Sequence, residues 1–358
     1  MKLDAPIPPG AEGRAHEVVM AAFASHRPAA ARRMPWRPLI AVAVVAVVAG
    51  VLASPPGLSV IHAIREAVGV KKAQHELFSL PAPGRLLVNS AHGAWVVEQN
   101  GSKRLLGPYR EAAWSPFGRF VVARRDNELV TMEADGKVHW TLARPGVSSP
   151  RWGGLRTDTR IAYAARDGLR VVAGDSRGDR LLAPAERGPF AWRPGQLAQL
   201  AYVTTGEIRL QDTDSGRVLW RTTRSANDPV RHISWSADGS RLLVVFRHRV
   251  LVVDDSGHVV ARVPGSFRDA TFVGPTAGLA VLTTSGDVRV GSTLLFHAGG
   301  LRELGTSPDG RWLLAAWPAA NQWVFVRVAA PHTIRAYSGI TRQFGGGTFP
   351  TVSGWIGK

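Results

Sequence analysis

The sequence predicts an all-β fold, a β-propeller of seven blades with six as the alternative, preceded by a single N-terminal transmembrane helix. Three observations predict it: a motif that returns every 34 to 43 residues, apolar strand-forming runs after each copy, and one uninterrupted apolar segment near the N-terminus. At 358 residues there is room for one large β domain with an appendage, and 45% hydrophobic with 20% charged residues marks a chain that folds around a core.

The repeated unit is an aromatic or small anchor residue, a turn rich in Ser, Pro, Asp and Gly, and an apolar strand. It reads Trp114-Ser115-Pro116-Phe117-Gly118 before Arg119-Phe120-Val121-Val122-Ala123. It returns as Trp235-Ser236-Ala237-Asp238-Gly239 before Arg241-Leu242-Leu243-Val244-Val245, and as Thr306-Ser307-Pro308-Asp309-Gly310 before Arg311-Trp312-Leu313-Leu314-Ala315. Weaker copies start at Trp152, Trp192 and Phe272. The six anchors lie 38, 40, 43, 37 and 34 residues apart, close to the roughly 40 of a four-stranded blade. Ser-Pro-Asp-Gly is turn chemistry, because Pro presets φ at the second position and Gly suits the last. A second turn, Ala134-Asp135-Gly136, Asp214-Ser215-Gly216 or Asp255-Ser256-Gly257, leads into the outer strand. Each apolar run is expected to lie buried between neighbouring blades.

Blade count follows from the ends. Gly84 to Val88 and Gly93 to Val97 supply strands of a blade without an opening motif, and Phe349 to Trp355 supplies a spare strand at the far end. Pairing the two closes a ring, and the 275 residues from 84 to 358 give about 39 per blade for seven blades. The residues expected to carry the repeat are Trp114, Trp152, Trp192, Trp235, Phe272, Asp238, Gly239, Asp309, Gly310 and the closing Trp355.

These repeats resemble the WD40-like repeats of the TolB propeller and its relatives, over about three quarters of the chain. The layout as a whole is similar to membrane-anchored propellers of high-GC, actinobacterial-like bacteria. Two departures limit what the resemblance implies. No unit carries the Gly-His and Trp-Asp pair of eukaryotic WD40 repeats, and the N-terminal domain that precedes the TolB propeller has no counterpart in the sequence, so TolB partners do not carry over.

From Leu39 to Ala53 there is no polar side chain, a helical span of about 22 Å against a bilayer core of roughly 30 Å. Trp36 at the interface and a snorkelling Arg37 lengthen it, and Pro55-Pro56 ends it. Arg27, Arg32, Arg33 and Arg37 precede the span and uncharged Ser54 to Gly57 follow, which places the N-terminus in the cytoplasm and the rest outside. The alternatives are a cleaved signal, with Val51 and Ala53 before the cut, and a buried core element. The expected order is a cytoplasmic tail over 1–36, a transmembrane helix over 37–54, a helical stalk over 55–83 and an extracytoplasmic propeller over 84–358, on a single-pass plasma-membrane protein.

The net charge of +17 invites a nucleic-acid reading. Lys stands only at 2, 71, 72, 103, 137 and 358, however, which leaves 38 of the 44 basic residues as Arg, spread without runs longer than pairs. That dispersal favours anionic lipid or an anionic envelope polymer over nucleic acid, and the expected partner is a protein or such a polymer. The absence of Cys excludes disulfides, thiolate nucleophiles and Cys-ligated metals. Gly174-Asp175-Ser176-Arg177-Gly178 matches a nucleophile elbow in letters, but a strand follows it where a helix is required, so it reads as a hairpin turn. Asp212-x-Asp214-x-Gly216 lacks the remaining ligands of a calcium loop. Trp95, Trp114, Trp152, Trp192 and Trp235 could build an aromatic cage, but their regular spacing favours packing between blades. No cofactor motif is present.

The expected function is a non-enzymatic binding or scaffold module for a protein or envelope component. The alternatives are a single-pass transmembrane regulator acting through its short tail, where Val19, Met20 and Phe23 share a helical face, and a propeller enzyme with its site in the central channel. The last would need acidic or His residues clustered on the inner strands, and inspection of the repeats finds no such cluster.

Overall fold

In the computed structural model the described residues are 79–274 and 276–357, and within them 28 strands form seven four-stranded antiparallel sheets. Seven is therefore the blade number, and the six-blade alternative falls. Blade 1 takes three strands from the start of the ring, Arg85–Ser90, Gly93–Val97 and Lys103–Gly107, and its innermost strand, Thr351–Ile356, from the end. Blades 2 to 7 follow in chain order over residues 110–143, 148–184, 190–223, 230–264, 267–297 and 304–338. The inner strands are Arg110–Trp114, Ser148–Gly154, Phe190–Trp192, Val230–Trp235, Phe267–Val273 and Leu304–Thr306, with Thr351–Ile356 as the seventh. Each touches the next around a closed circle, so the axis is lined by inner strands alone.

The closing strand pairs as expected, Trp355 opposite Leu86 and Thr351 opposite Asn89. It leaves blade 1 no open inner edge, and unpaired edges invite foreign strands. The second strand of each blade is the apolar run after the anchor. In blade 5, Leu242 to Phe246 are all fully buried, because the sheet is covered on both faces by its neighbours. Outer strands are half exposed, as in Val259–Pro264.

The recurring turn is built by its serine. Ser115, Ser236 and Ser307 are buried, and each hydroxyl accepts a backbone N–H five residues on, from Phe120, Arg241 and Trp312 at 2.9–3.0 Å. Asp238 and Asp309 accept from the Ser236 and Ser307 hydroxyls at 2.5 Å. The glycines take a left-handed backbone, φ 69° at Gly239 and 67° at Gly310. The Gly174–Gly178 segment is a hairpin between the strands Gly168–Ala173 and Arg180–Pro184.

The tail, transmembrane helix and stalk expected over 1–36, 37–54 and 55–83 fall outside the described residues, except for 79–83. Among the described residues no helix is long and apolar enough to cross a membrane.

Candidate functional site

The anchor residues occupy one register position. Trp114, Trp152, Trp192, Trp235, Phe272 and Thr306 each sit on an inner strand opposite the second residue of an apolar run, and Trp355 holds the same place in blade 1. They are wedged between blades. The Trp192 Nε1–H donates to the Arg151 carbonyl of blade 3 at 2.9 Å, and the Trp235 Nε1–H to the Ala191 carbonyl of blade 4 at 3.2 Å. Thr306 repeats the contact with its hydroxyl, to the Phe272 carbonyl at 3.0 Å. Trp95 lies on a different strand and bonds Ser90, so it does not share the register position of the other four tryptophans.

The turns latch onto the same wedges. The Arg193 guanidinium lies 5.3 Å over Trp235 and donates from Nε to the Gly239 carbonyl at 2.8 Å. Arg85 likewise lies 4.9 Å over the Trp114 ring and donates from Nη2 to the Gly118 carbonyl. At Gly310 the partner is the Gly274 amide, 3.0 Å away. The Gly239 and Gly310 carbonyls thus join blades at the face where the inner strands end, and Asp238 and Asp309 shape the turns that present them. Hydrogen bonds from Ser236 and Ser240 bring the Asp238 carboxyl down to about 2. Asp212 accepts two backbone N–H bonds in its turn, and Asp214 is held by Arg160 and Arg180 at 2.8 Å.

A second set of charged side chains gathers at the opposite face, where the inner strands begin. A β-bulge there shifts the register in blades 2, 3, 5 and 6. Three residues before the anchors stand Glu111, Ser149, His232, Asp269 and Glu303, and four before them the exposed Arg110, Arg231, Arg268 and Arg302. The channel cluster missed by reading the repeats in sequence is therefore present. Its signal was available: counting back a fixed three and four residues from each anchor finds it.

The two layers do different work. Glu111 accepts the Ser149 N–H of the next blade and pairs with Arg124 at 2.8 Å. Asp269 accepts the Leu304 N–H at 2.8 Å, Glu303 the Val352 N–H at 3.2 Å, and Asn89 the Ala112 N–H at 3.0 Å. Four of the seven blade junctions are thus bridged by a side chain that caps a neighbouring amide. Desolvation pushes the Glu303 carboxyl up to about 7, and raises Asp269 against the pull of nearby His232, whose Nδ1 is 3.6 Å away. His232 is 46% exposed to the channel, yet the walls that surround it, together with the charge of Arg151, lower its pKa.

No protein-family model and no curated protein sequence matches the chain. Solved structures do. The C-terminal WD40 domain of Sif2 aligns with a TM-score of 0.53 at 16% identity, over 72% of this chain and 83% of that one. A chain of the mitotic checkpoint complex aligns at 0.52 and 14% identity, over 63% and 76%. Hsv2 of Kluyvelomyces marxianus aligns at 0.52 and 10%, over 70% and 92%. The fold is a WD40-type seven-bladed β-propeller. In this WD40-type ring the anchor tryptophans and Ser-x-Asp-Gly turns pack the blades together, and a crown of exposed arginines stands at the other end of the inner strands.

Proposed function

We propose that the chain is a non-enzymatic binding module, tethered to the plasma membrane through residues 37–54 with the propeller outside the cytoplasm, and that a protein partner with an acidic surface docks on the crown. The observation that carries this reading is the crown itself: four exposed arginines at one register position, Arg110, Arg231, Arg268 and Arg302, ring a single channel mouth. A cationic rim with low-dielectric walls focuses potential and steers anionic partners. The WD40-type neighbours include a chain in a multiprotein checkpoint complex, in keeping with a scaffold role. The acidic channel residues favour binding over catalysis, since Glu111, Asp269 and Glu303 are each engaged with a neighbouring backbone amide. An anionic envelope polymer is the other ligand this crown suits.

The test is capture of a partner from envelope extract by the full-length chain across a salt series, beside a variant with the four crown arginines changed to Gln. The reading expects one partner bound at stoichiometric level, released by salt and lost in the variant. Equal capture by the variant, or none by either, contradicts it.

A further inference from the structure

At the channel mouth, blades 3, 4 and 5 line an open cavity of about 480 Å³. Arg151, Arg187, Arg231 and His232 line it over a floor of Trp192 and Trp235, and no carboxylate is among the described residues of its wall. That imbalance is local. Elsewhere in blade 3, Arg160 and Arg170 each meet two carboxylates. On the blade 6 side Asp269 lies 3.6 Å from His232 and accepts the Leu304 amide, and Glu303 accepts the Val352 amide.

Arg151 is the key residue. Among the described residues it makes no ion pair, and its one hydrogen bond runs from Nη1 to the carbonyl of its neighbour Pro150 at 2.9 Å. The nearby acid, Glu111, is occupied by Arg124 and the Ser149 amide. Arg231 donates only to the Phe267 carbonyl at 3.1 Å, and Arg187 only to the Arg166 carbonyl. Three guanidiniums therefore face one cavity with donors to spare. A guanidinium presents five N–H donors in a planar fork suited to carboxylate and phosphate oxygens. Burial, and to a lesser degree the charge of Arg151, lower the His232 pKa against the pull of Asp269, and an anion bound beside both cations would favour the charged imidazole.

We propose that this cavity is an oxyanion-binding site that takes a single carboxylate or phosphoryl group, with Arg151 as the principal ligand and Arg231 and His232 beside it. The inference deepens the docking reading and rests on it in one respect only: the group is carried into the channel by the partner. A free small anion has the same chemistry, and the experiment separates the two sources.

Full-length chain is titrated with inorganic phosphate, with an acetylated phosphoserine peptide, with its glutamate and alanine counterparts, and with chloride at matched ionic strength. Binding is read from the emission of the tryptophans in the cavity floor and by calorimetry. The expected result is saturable binding of phosphate or of the phosphoserine or glutamate peptide over the alanine peptide and chloride. Arg151→Gln weakens it by about 10-fold, as loss of a charge-assisted hydrogen bond requires. Arg231→Gln, an exposed change that leaves the fold intact, gives a smaller loss, so a misfolded Arg151 variant would not leave the outcome open. Tighter binding of a peptide than of free phosphate assigns the group to a partner, and the reverse assigns a small anion. Binding unchanged in both variants, or no saturation by any anionic probe, overturns the site. Changing the outer Arg110 and Arg268 to Gln, which do not line the cavity, tests docking separately: partner capture falls while phosphate binding stays.

Discussion

Gly239 and Gly195 share a backbone conformation, with φ of 69° and 72°, but not a neighbourhood. A Cβ at Gly239 would stand 2.6 Å from the Pro194 carbonyl oxygen, whereas at Gly195 it meets nothing within 4 Å. Ala at 195 should therefore cost only the left-handed strain, about 1 kcal/mol, and Ala at 239 or 310 about 1–3 kcal/mol more, measured by denaturant unfolding. Glu303 gives a prediction in pH. Its folded carboxyl titrates near 7, against 4.5 for an exposed one, so between those values the folded state holds more protons than the unfolded. Stability contributed by this group is full below pH 4.5 and falls as pH rises to about 7. Asp269 acts in the same direction and the depressed His232 in the opposite one, so the comparison is with Glu303→Gln, which keeps an acceptor for the Val352 amide. The variant should flatten the decline, by up to about 3 kcal/mol at pH 8. Identical pH profiles would refute the assignment.

At the scale of the element, the inner strand explains both what was legible in the sequence and what was not. The anchors and their turns could be read because packing between blades demands a bulky residue and a left-handed glycine at fixed places. The channel residues sit on the same strands, but at a bulge that contains Glu111 and lies immediately before His232 and Asp269, so the regular alternation counted back from the anchors ends there. Trp355 was legible as a closing strand and not as the seventh anchor, because 49 residues separate it from Thr306. The excess is the segment with the short helix Ile340–Gln343, pinned by the fully buried Ile340 and by Phe344, whose ring lies 5.1 Å from Trp323 and 5.8 Å from Trp95. Gly153 is a further element-level constraint unseen in the repeats: a Cβ there would lie 2.2 Å from the Trp192 ring. Gly153→Ala should force the blade 3–4 wedge apart and lower stability by about 1–3 kcal/mol, and Trp192→Phe, which loses the bond to the Arg151 carbonyl and part of the buried ring, should cost about 1–3 kcal/mol.

At the scale of the molecule, ring closure couples the two ends of the propeller. Removing residues 349–358 deletes the inner strand of blade 1, uncovers Leu86 and Val88, and opens the contact between blades 7 and 2 through blade 1. The midpoint of thermal unfolding should fall by well over 10 °C or the domain should fail to fold, since several buried apolar side chains lose their cover at about 1.5–3 kcal/mol each. The docking face is tested most directly by site-specific photocrosslinking of the full-length chain in cells. The probe is placed in turn at crown positions 110, 231, 268 and 302 and at the outer-strand positions 138, 181 and 260, where Val138, Leu181 and Val260 are the competing exposed apolar sites. The account predicts one shared adduct from the crown positions and none from the outer strands. Adducts confined to the outer strands would contradict it.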